Sequence, residues 1–273
     1  MSVADKNSVL REQKEALVED SIRFVWRHGV SAAATRHAQG PVAVSGSGVH
    51  ITDIDGNVYL DALAGGSAAA TLGHGRVDVA DAVHVQMTSL HWVSLRTFLN
   101  EPSVELARRI AGLSDADLQT SFFVSSGSEA VETATQLVKS YHRARGNPEK
   151  NKFLYRKTGY HGTNLIGASA SNNAEFRTWF APLAPGFVEL EACYPYRRPE
   201  GMTEEEYGDA AADAIEATIL AEGPDTIGGI LAEAIPAALV LVPPANYLRR
   251  LREICDRYDI LWKIGRASCR ERV

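Results

Sequence analysis

Cysteine is scarce in this 273-residue chain. Cys193, Cys255 and Cys269 are odd in number and show no Cys-x-x-Cys spacing, which argues against a disulfide framework or a thiolate zinc site. A reducing, cytoplasmic setting is the expectation. Long apolar runs are also missing, and no stretch approaches the roughly 20 residues needed to cross a bilayer. Charges at Asp5, Lys6, Arg11, Glu12, Lys14 and Glu15 break up any signal-type apolar block near the N-terminus. Nor is there an excess of positive charge. With 28 Lys and Arg against 34 Asp and Glu, the formal charge is −6, and no electrostatic footprint for nucleic acid is left. Small molecules are the expected partners.

Familiar phosphate and acyl-transfer signatures are absent as well. No Gly-x-x-x-x-Gly-Lys-Ser/Thr marks a P-loop and no Gly-x-Gly-x-x-Gly follows a strand pattern. A Gly-x-Ser-x-Gly hydrolase elbow is missing at the one strand-to-helix turn where it would fit.

Hydrophobic residues make up 45% of the chain, enough to fill a sizeable core. A helical pattern over residues 9–28 reads as an arm that docks on something. Val49-His50-Ile51 and Val58-Tyr59-Leu60 flank Asp53-Ile54-Asp55-Gly56-Asn57, whose Asp-Gly predicts a tight turn and a hairpin. Ala64-Gly65-Gly66-Ser67 and Gly73-His74-Gly75 read as loops, with His74 expected as a loop histidine bound to backbone or solvent and a ligand or acid–base role as the alternative. Helices are predicted over 77–89 and 102–113, the second opening on Pro102. Strands follow at 122–124, 152–155, 227–232 and 259–262, alternating with helices over 203–220 and 247–258. This rhythm predicts an α/β fold with a largely parallel sheet.

The densest chemistry lies between Phe122 and Gly162. Ser126-Gly127-Ser128-Glu129 stands where the first of these strands gives way to a helix carrying Ala130, Val131, Ala134, Leu137, Val138 and Tyr141 at helical spacing. Glu129, three places after Ser126, matches a capping box. A helix N-terminus with small residues is an anion site in outline, because its first N–H groups lack partners and glycine admits a phosphate. In parallel sheets ligands gather at the carboxyl ends of strands, where Tyr160-His161 and Glu233 also fall. A phosphate cradle, an aromatic ring and a carboxylate together suit a planar phosphorylated cofactor.

These blocks resemble those of the class III, pyridoxal-phosphate-dependent aminotransferases of fold type I. The resemblance rests on Ser125 to Glu132, on Gly159-Tyr160-His161-Gly162, on Leu72-Gly73-His74-Gly75, and on Glu233 ahead of Pro243-Pro244-Ala245-Asn246-Tyr247-Leu248. Their order and spacing agree from about residue 10 to residue 262. The resemblance implies an incomplete large domain, a mostly parallel sheet with flanking helices, plus the N-terminal part of the small domain. It divides the chain into an arm with the hairpin over 1–60, a cofactor-binding part over 61–262 and a tail over 263–273. It implies pyridoxal 5'-phosphate as cofactor, with Ser126, Gly127 and Ser128 at the phosphate, Tyr160 against the pyridine face, and His161 and Glu233 supporting the pocket. Gly65, Trp92 and Gly162 fall near the substrate. An amino donor, a keto acid such as pyruvate and a second copy of the chain in a homodimer are the implied partners. An aminomutase or racemase of the same fold, or a non-catalytic ligand-binding fragment, are the alternatives.

Two groups that the family's chemistry requires are not found. One is the carboxylate that pairs with the pyridine nitrogen, the other the lysine that carries the cofactor. After Trp262 the sequence reads Lys263-Ile264-Gly265-Arg266-Ala267-Ser268-Cys269-Arg270-Glu271-Arg272-Val273. This basic undecapeptide breaks the composition and resembles a translated sequencing-library adapter, so a non-native tail and a shortened gene are expected. Lys139, Lys152, Lys157 and Lys263 do not stand in the family's lysine context. No catalytic residue is therefore assigned, and the chain is expected to be inactive by itself.

Overall fold

In the computed structural model, residues 14–27, 30–37, 40–114, 118–172, 174–236 and 240–263 are described. The chain divides into two compact units, Met1–Val104 and Glu105–Val273.

The first unit opens on helices α1 (Lys14–Phe24) and α2 (Ala32–His37). Of the predicted arm helix, residues 9–13 and 28 lie outside the described residues. The hairpin forms between β2 (His50–Asp53) and β3 (Val58–Leu60), with Ile51 opposite Tyr59. Its turn is organised by one carboxylate. Asp53 accepts from the Asp55 N–H at 3.0 Å, the Asn57 N–H at 2.8 Å, Asn57 Nδ2 at 2.9 Å and Tyr59 Oη at 2.8 Å. These donors, the Asn57 side chain foremost, stabilise the anion and hold its pKa down to about 2. Gly56 supplies the positive φ of 90° that the turn needs. A further strand, β1 (Ala43–Ser47), pairs antiparallel with β2. Its small residues carried no strand pattern, and only the partner makes it one. Helix α3 (Val77–Ser89) forms as predicted, and α4 (Glu101–Leu113), which spans the boundary between the units, starts one residue early with Pro102 in its first turn.

The second unit is a four-stranded parallel sheet in the order β5-β4-β6-β7, with β4 Lys152–Arg156, β5 Phe187–Leu190, β6 Ile227–Leu231 and β7 Leu261–Lys263. Alternate strand residues serve opposite faces. Leu154 and Ile230 join Ile215 and Ile219 of α8 (Glu204–Glu222) and Leu251 and Ile254 of α9 (Ala245–Arg257) in one buried cluster. Tyr155 and Leu231 face the other way, into a cluster with Ala170. Helix α5 (Gly127–Ala144) packs on β6, where its Val138 meets Gly228. Each fully buried Leu or Ile contributes about 1.5–3 kcal/mol, so this three-layer arrangement carries the unit. Two short helices, α6 (Leu165–Ser169) and α7 (Ala174–Trp179), link β4 to β5.

Three expectations need correcting. Phe122, Phe123 and Val124 form no strand and are not buried, with relative exposures of 77%, 39% and 37%. A strand exists only through its ladder partner, and the described sheet offers this segment none. In α5 the buried face is Val131, Thr135, Val138 and His142, whereas Leu137 is 66% exposed. Finally, β5 lies between the expected strands, where the sequence reading places none. Its pairing of Phe187 with Phe153 decides the matter.

Candidate functional site

Ser126 caps α5 in extended conformation, and its Oγ accepts from the Glu129 N–H at 3.1 Å. The predicted capping box forms only on this side. Glu129 reaches past the cap to the Ser125 N–H at 2.7 Å. The N–H groups of Gly127 and Ser128 have no intrahelical acceptor, as at any helix start. A Cβ built on Gly127 would meet nothing within 4 Å, so the backbone there is open.

Ser128 locks this helix start to the loop after β4. The Thr163 N–H approaches Ser128 Oγ at 3.4 Å, and a side chain at Gly162 would collide with that hydroxyl. Gly162 also has φ +117°, so both space and backbone require glycine. Asn164 extends the lock. Its Nδ2 donates to Glu132 at 2.8 Å and to the Ser128 carbonyl at 3.3 Å, while its Oδ1 caps α6 by accepting from the Gly167 N–H at 2.8 Å.

Tyr160 is half-buried. His161 is only 1% exposed, with its N–H donating to Ser171 Oγ at 2.9 Å. A Cβ on Gly159 would lie 2.8 Å from its Nε2, so the imidazole packs beneath its own loop.

Glu233 follows β6 and is buried with Arg156, the last residue of β4. The Arg156 guanidinium donates to the Glu233 backbone carbonyl and approaches its carboxylate at 3.4 Å. The pair joins the carboxyl ends of neighbouring strands. Tyr247 of α9 is buried close to the same guanidinium, and desolvation pushes its hydroxyl pKa up to about 12. Burial likewise pushes the Cys193 thiol up to about 11, against the opposing pull of Arg156, so this thiol is an inert core group. Sequence reasoning missed Arg156. The signal was a cation closing the apolar run Phe153-Leu154-Tyr155.

Gly65 and Trp92 belong to the other unit. Gly65 sits in a π-helical turn, Ala64–Ala68, with φ +81°, and Trp92 is 72% exposed. The lysines near the central blocks are engaged elsewhere. Lys152 pairs with Glu222 at 2.9 Å, Lys157 with Glu191 at 3.0 Å, and Lys139 lies 5.7 Å from the Phe153 ring centroid.

The helix start of α5 and the loop after β4 thus meet at the carboxyl end of the parallel sheet. The family model described as Aminotransferase class-III matches residues 32–264. The chain belongs to this family. Class III aminotransferases depend on pyridoxal phosphate, and the fold is that of fold type I. A probable aminotransferase of Mycobacterium tuberculosis is 38% identical over 264 residues, which cover 95% of this chain and 55% of that protein. A taurine–pyruvate aminotransferase of Bilophila wadsworthia is 34% identical over 259 residues, 94% of this chain and 55% of its own length. The omega transaminase of Pseudomonas jessenii, solved in complex with PMP, has a TM-score of 0.85 and 31% identity over 90% of this chain and 55% of that one. The chain thus spans about half the length of the curated relatives it matches. Among the described residues no helix is long and apolar enough to cross a membrane.

Proposed function

We propose that this sequence is the N-terminal part of a pyridoxal-phosphate-dependent aminotransferase that moves an amino group from an amine or ω-amino acid to a keto acid such as pyruvate. The observation that carries the reading is the open first turn of α5 held against the Tyr160–Gly162 loop by Ser128. The name of the Bilophila relative supports pyruvate as acceptor. Bound pyridoxal phosphate supplies an electron sink that acidifies the C–H beside the transferred amine.

In this reading the N–H groups of Gly127 and Ser128, with the Ser126 hydroxyl nearby, hold the phosphate through unpartnered donors and the helix dipole. Tyr160 packs its ring against the pyridine face. His161 holds that loop from beneath, since its ring is buried behind Gly159. Glu233, fixed by Arg156, supports the pocket behind the cofactor. Gly162, Gly65 and Trp92 are assigned to the donor side. The whole enzyme is read as a cytoplasmic homodimer acting on small molecules.

Among the described residues no lysine is placed to carry the cofactor, and the given sequence has no Asp-Glu-Val block after Trp262. A ligand-binding fragment without amino transfer is therefore the reading for these 273 residues. Titration of the chain with pyridoxal phosphate tests both parts. Weak binding that inorganic phosphate displaces and Ser128→Asp abolishes is expected, with no visible absorption band that borohydride removes. An adduct that borohydride fixes on a lysine of the chain would overturn the inactivity, and displacement indifferent to Ser128→Asp would overturn the cradle.

A further inference from the structure

The Gly73-His74-Gly75 and Gly65-Gly66 loops meet at one carboxylate. Asp61 follows β3, and its Oδ2 lies 2.7 Å from His74 Nε2 and accepts from the Gly65 N–H at 2.6 Å. Its Oδ1 accepts from the Leu63 N–H at 3.3 Å. The Asp61 side chain is 7% exposed and that of His74 is 24% exposed. A carboxylate can only accept, so the proton of a neutral His74 ring resides on Nε2. The hydrogen bond from His74 is the main cause holding the Asp61 carboxyl below its ordinary range.

His74 is itself fixed by backbone. Its N–H donates to the Gly48 carbonyl at 2.8 Å and its carbonyl accepts from the Gly48 N–H at 3.0 Å. A Cβ on Gly46 would lie 2.8 Å from His74 Cβ and Cγ, so the β1–β2 corner seats this residue closely.

The held segment is strained at Ala64. Its φ of +48° is a left-handed conformation that costs a residue with a side chain, and Gly65 and Gly66 continue it at +81° and +86° without that cost. Such conformations persist only where surrounding bonds over-determine them. Here the bonds are those of Asp61 to Leu63 and Gly65, closed on the other side by the Ala70 N–H donating to the Ala64 carbonyl at 2.8 Å.

We propose that Asp61 and His74 are positioning residues that set the Ala64–Gly66 turn and, through Gly65, the shape of the amino-donor pocket. The pocket half of this statement rests on the assignment of Gly65 under Proposed function; the turn half does not. His74 orients the carboxylate, and the carboxylate fixes the N–H directions of Leu63 and Gly65 on either side of Ala64.

Amide hydrogen exchange and imidazole nitrogen NMR on the 273-residue chain test it. With wild type, a slow Gly65 amide and a His74 ring protonated at Nε2 are expected. Asp61→Ala should speed Gly65 exchange about tenfold or more, the equivalent of one lost hydrogen bond, while the Asp53 and Ile54 amides of the hairpin stay slow. His74→Ala should follow it, and His74→Gln, whose amide can donate to the same oxygen, should restore protection. Unchanged Gly65 exchange in Asp61→Ala with the hairpin intact would overturn the proposal, as would a wild-type His74 ring protonated only at Nδ1. Should Asp61→Ala fail to fold, the wild-type ring and the His74→Ala and His74→Gln pair decide. These readouts need no substrate. A Gly65 amide shift that moves with added taurine supports the pocket half, and one that ignores taurine while exchange still follows Asp61 overturns that half and the Gly65 assignment alone.

Discussion

Glu129 stands at capping-box spacing from Ser126, yet its carboxylate bonds Ser125 instead. The half that does form still satisfies a first-turn donor, so Ser126→Ala should lower stability by about 1 kcal/mol, read as a shift in the urea midpoint. A second residue-scale effect depends on pH. Asp53 titrates near 2 in the folded chain against 3.8 ordinarily, so its carboxylate stabilises the fold fully above the ordinary value. That contribution is lost as pH falls from about 4 towards 2, and Asp53→Asn should flatten this limb of the stability–pH curve. The Ser126 cap was visible in the sequence, and so was the turn around Asp53 through its Asp55-Gly56 pair, because these signals are local. Arg156 was not singled out, because the partner that gives it meaning, Glu233, is distant in sequence and meets it only across paired strand ends.

At the scale of elements, β4, β6 and β7 formed where apolar runs were read, β5 formed where none was read because β4 pairs with it, and the run at Phe122–Val124 formed no strand for want of a partner in the described sheet. The same tertiary pressure turned α5 so that Val131, Thr135, Val138 and His142 face inwards. His142 is accepted there because its Nε2 lies 2.9 Å from the Gly228 carbonyl. Gly228 is pressed against the Lys150 carbonyl and Val138, leaving no room for a Cβ. Gly228→Ala should therefore cost about 1–3 kcal/mol through overpacking, measured by chemical denaturation with unchanged m-value. Lys150 joins these elements from below. Its ammonium donates to the carbonyls of Tyr258 at 2.6 Å, Pro224 at 3.2 Å, Asp259 at 3.3 Å and Ile227 at 3.4 Å. Lys150→Met keeps the length and removes the donors, and should cost about 3 kcal/mol with early loss of the β6–β7 amides in hydrogen exchange.

At the scale of the molecule, the described residues leave much apolar surface uncovered. Trp92, Leu99, Phe122 and Trp179 are 72%, 82%, 77% and 76% exposed, and α3 and α4 bury no residue. Exposed apolar area on this scale favours association, so sedimentation of the purified chain should show mass rising with concentration, together with dye binding to hydrophobic surface. A monodisperse, dye-silent chain would contradict this. The sequence by itself determined the α/β rhythm and the family, since periodicity, caps and turn chemistry act over a few residues. Tertiary structure alone decided which apolar runs became strands, that Arg156 meets Glu233, that Ser128 meets Gly162, and that His74 serves Asp61. Those outcomes depend on hydrogen bonds and close contacts between residues far apart in the chain, and such contacts leave no period in the sequence to read.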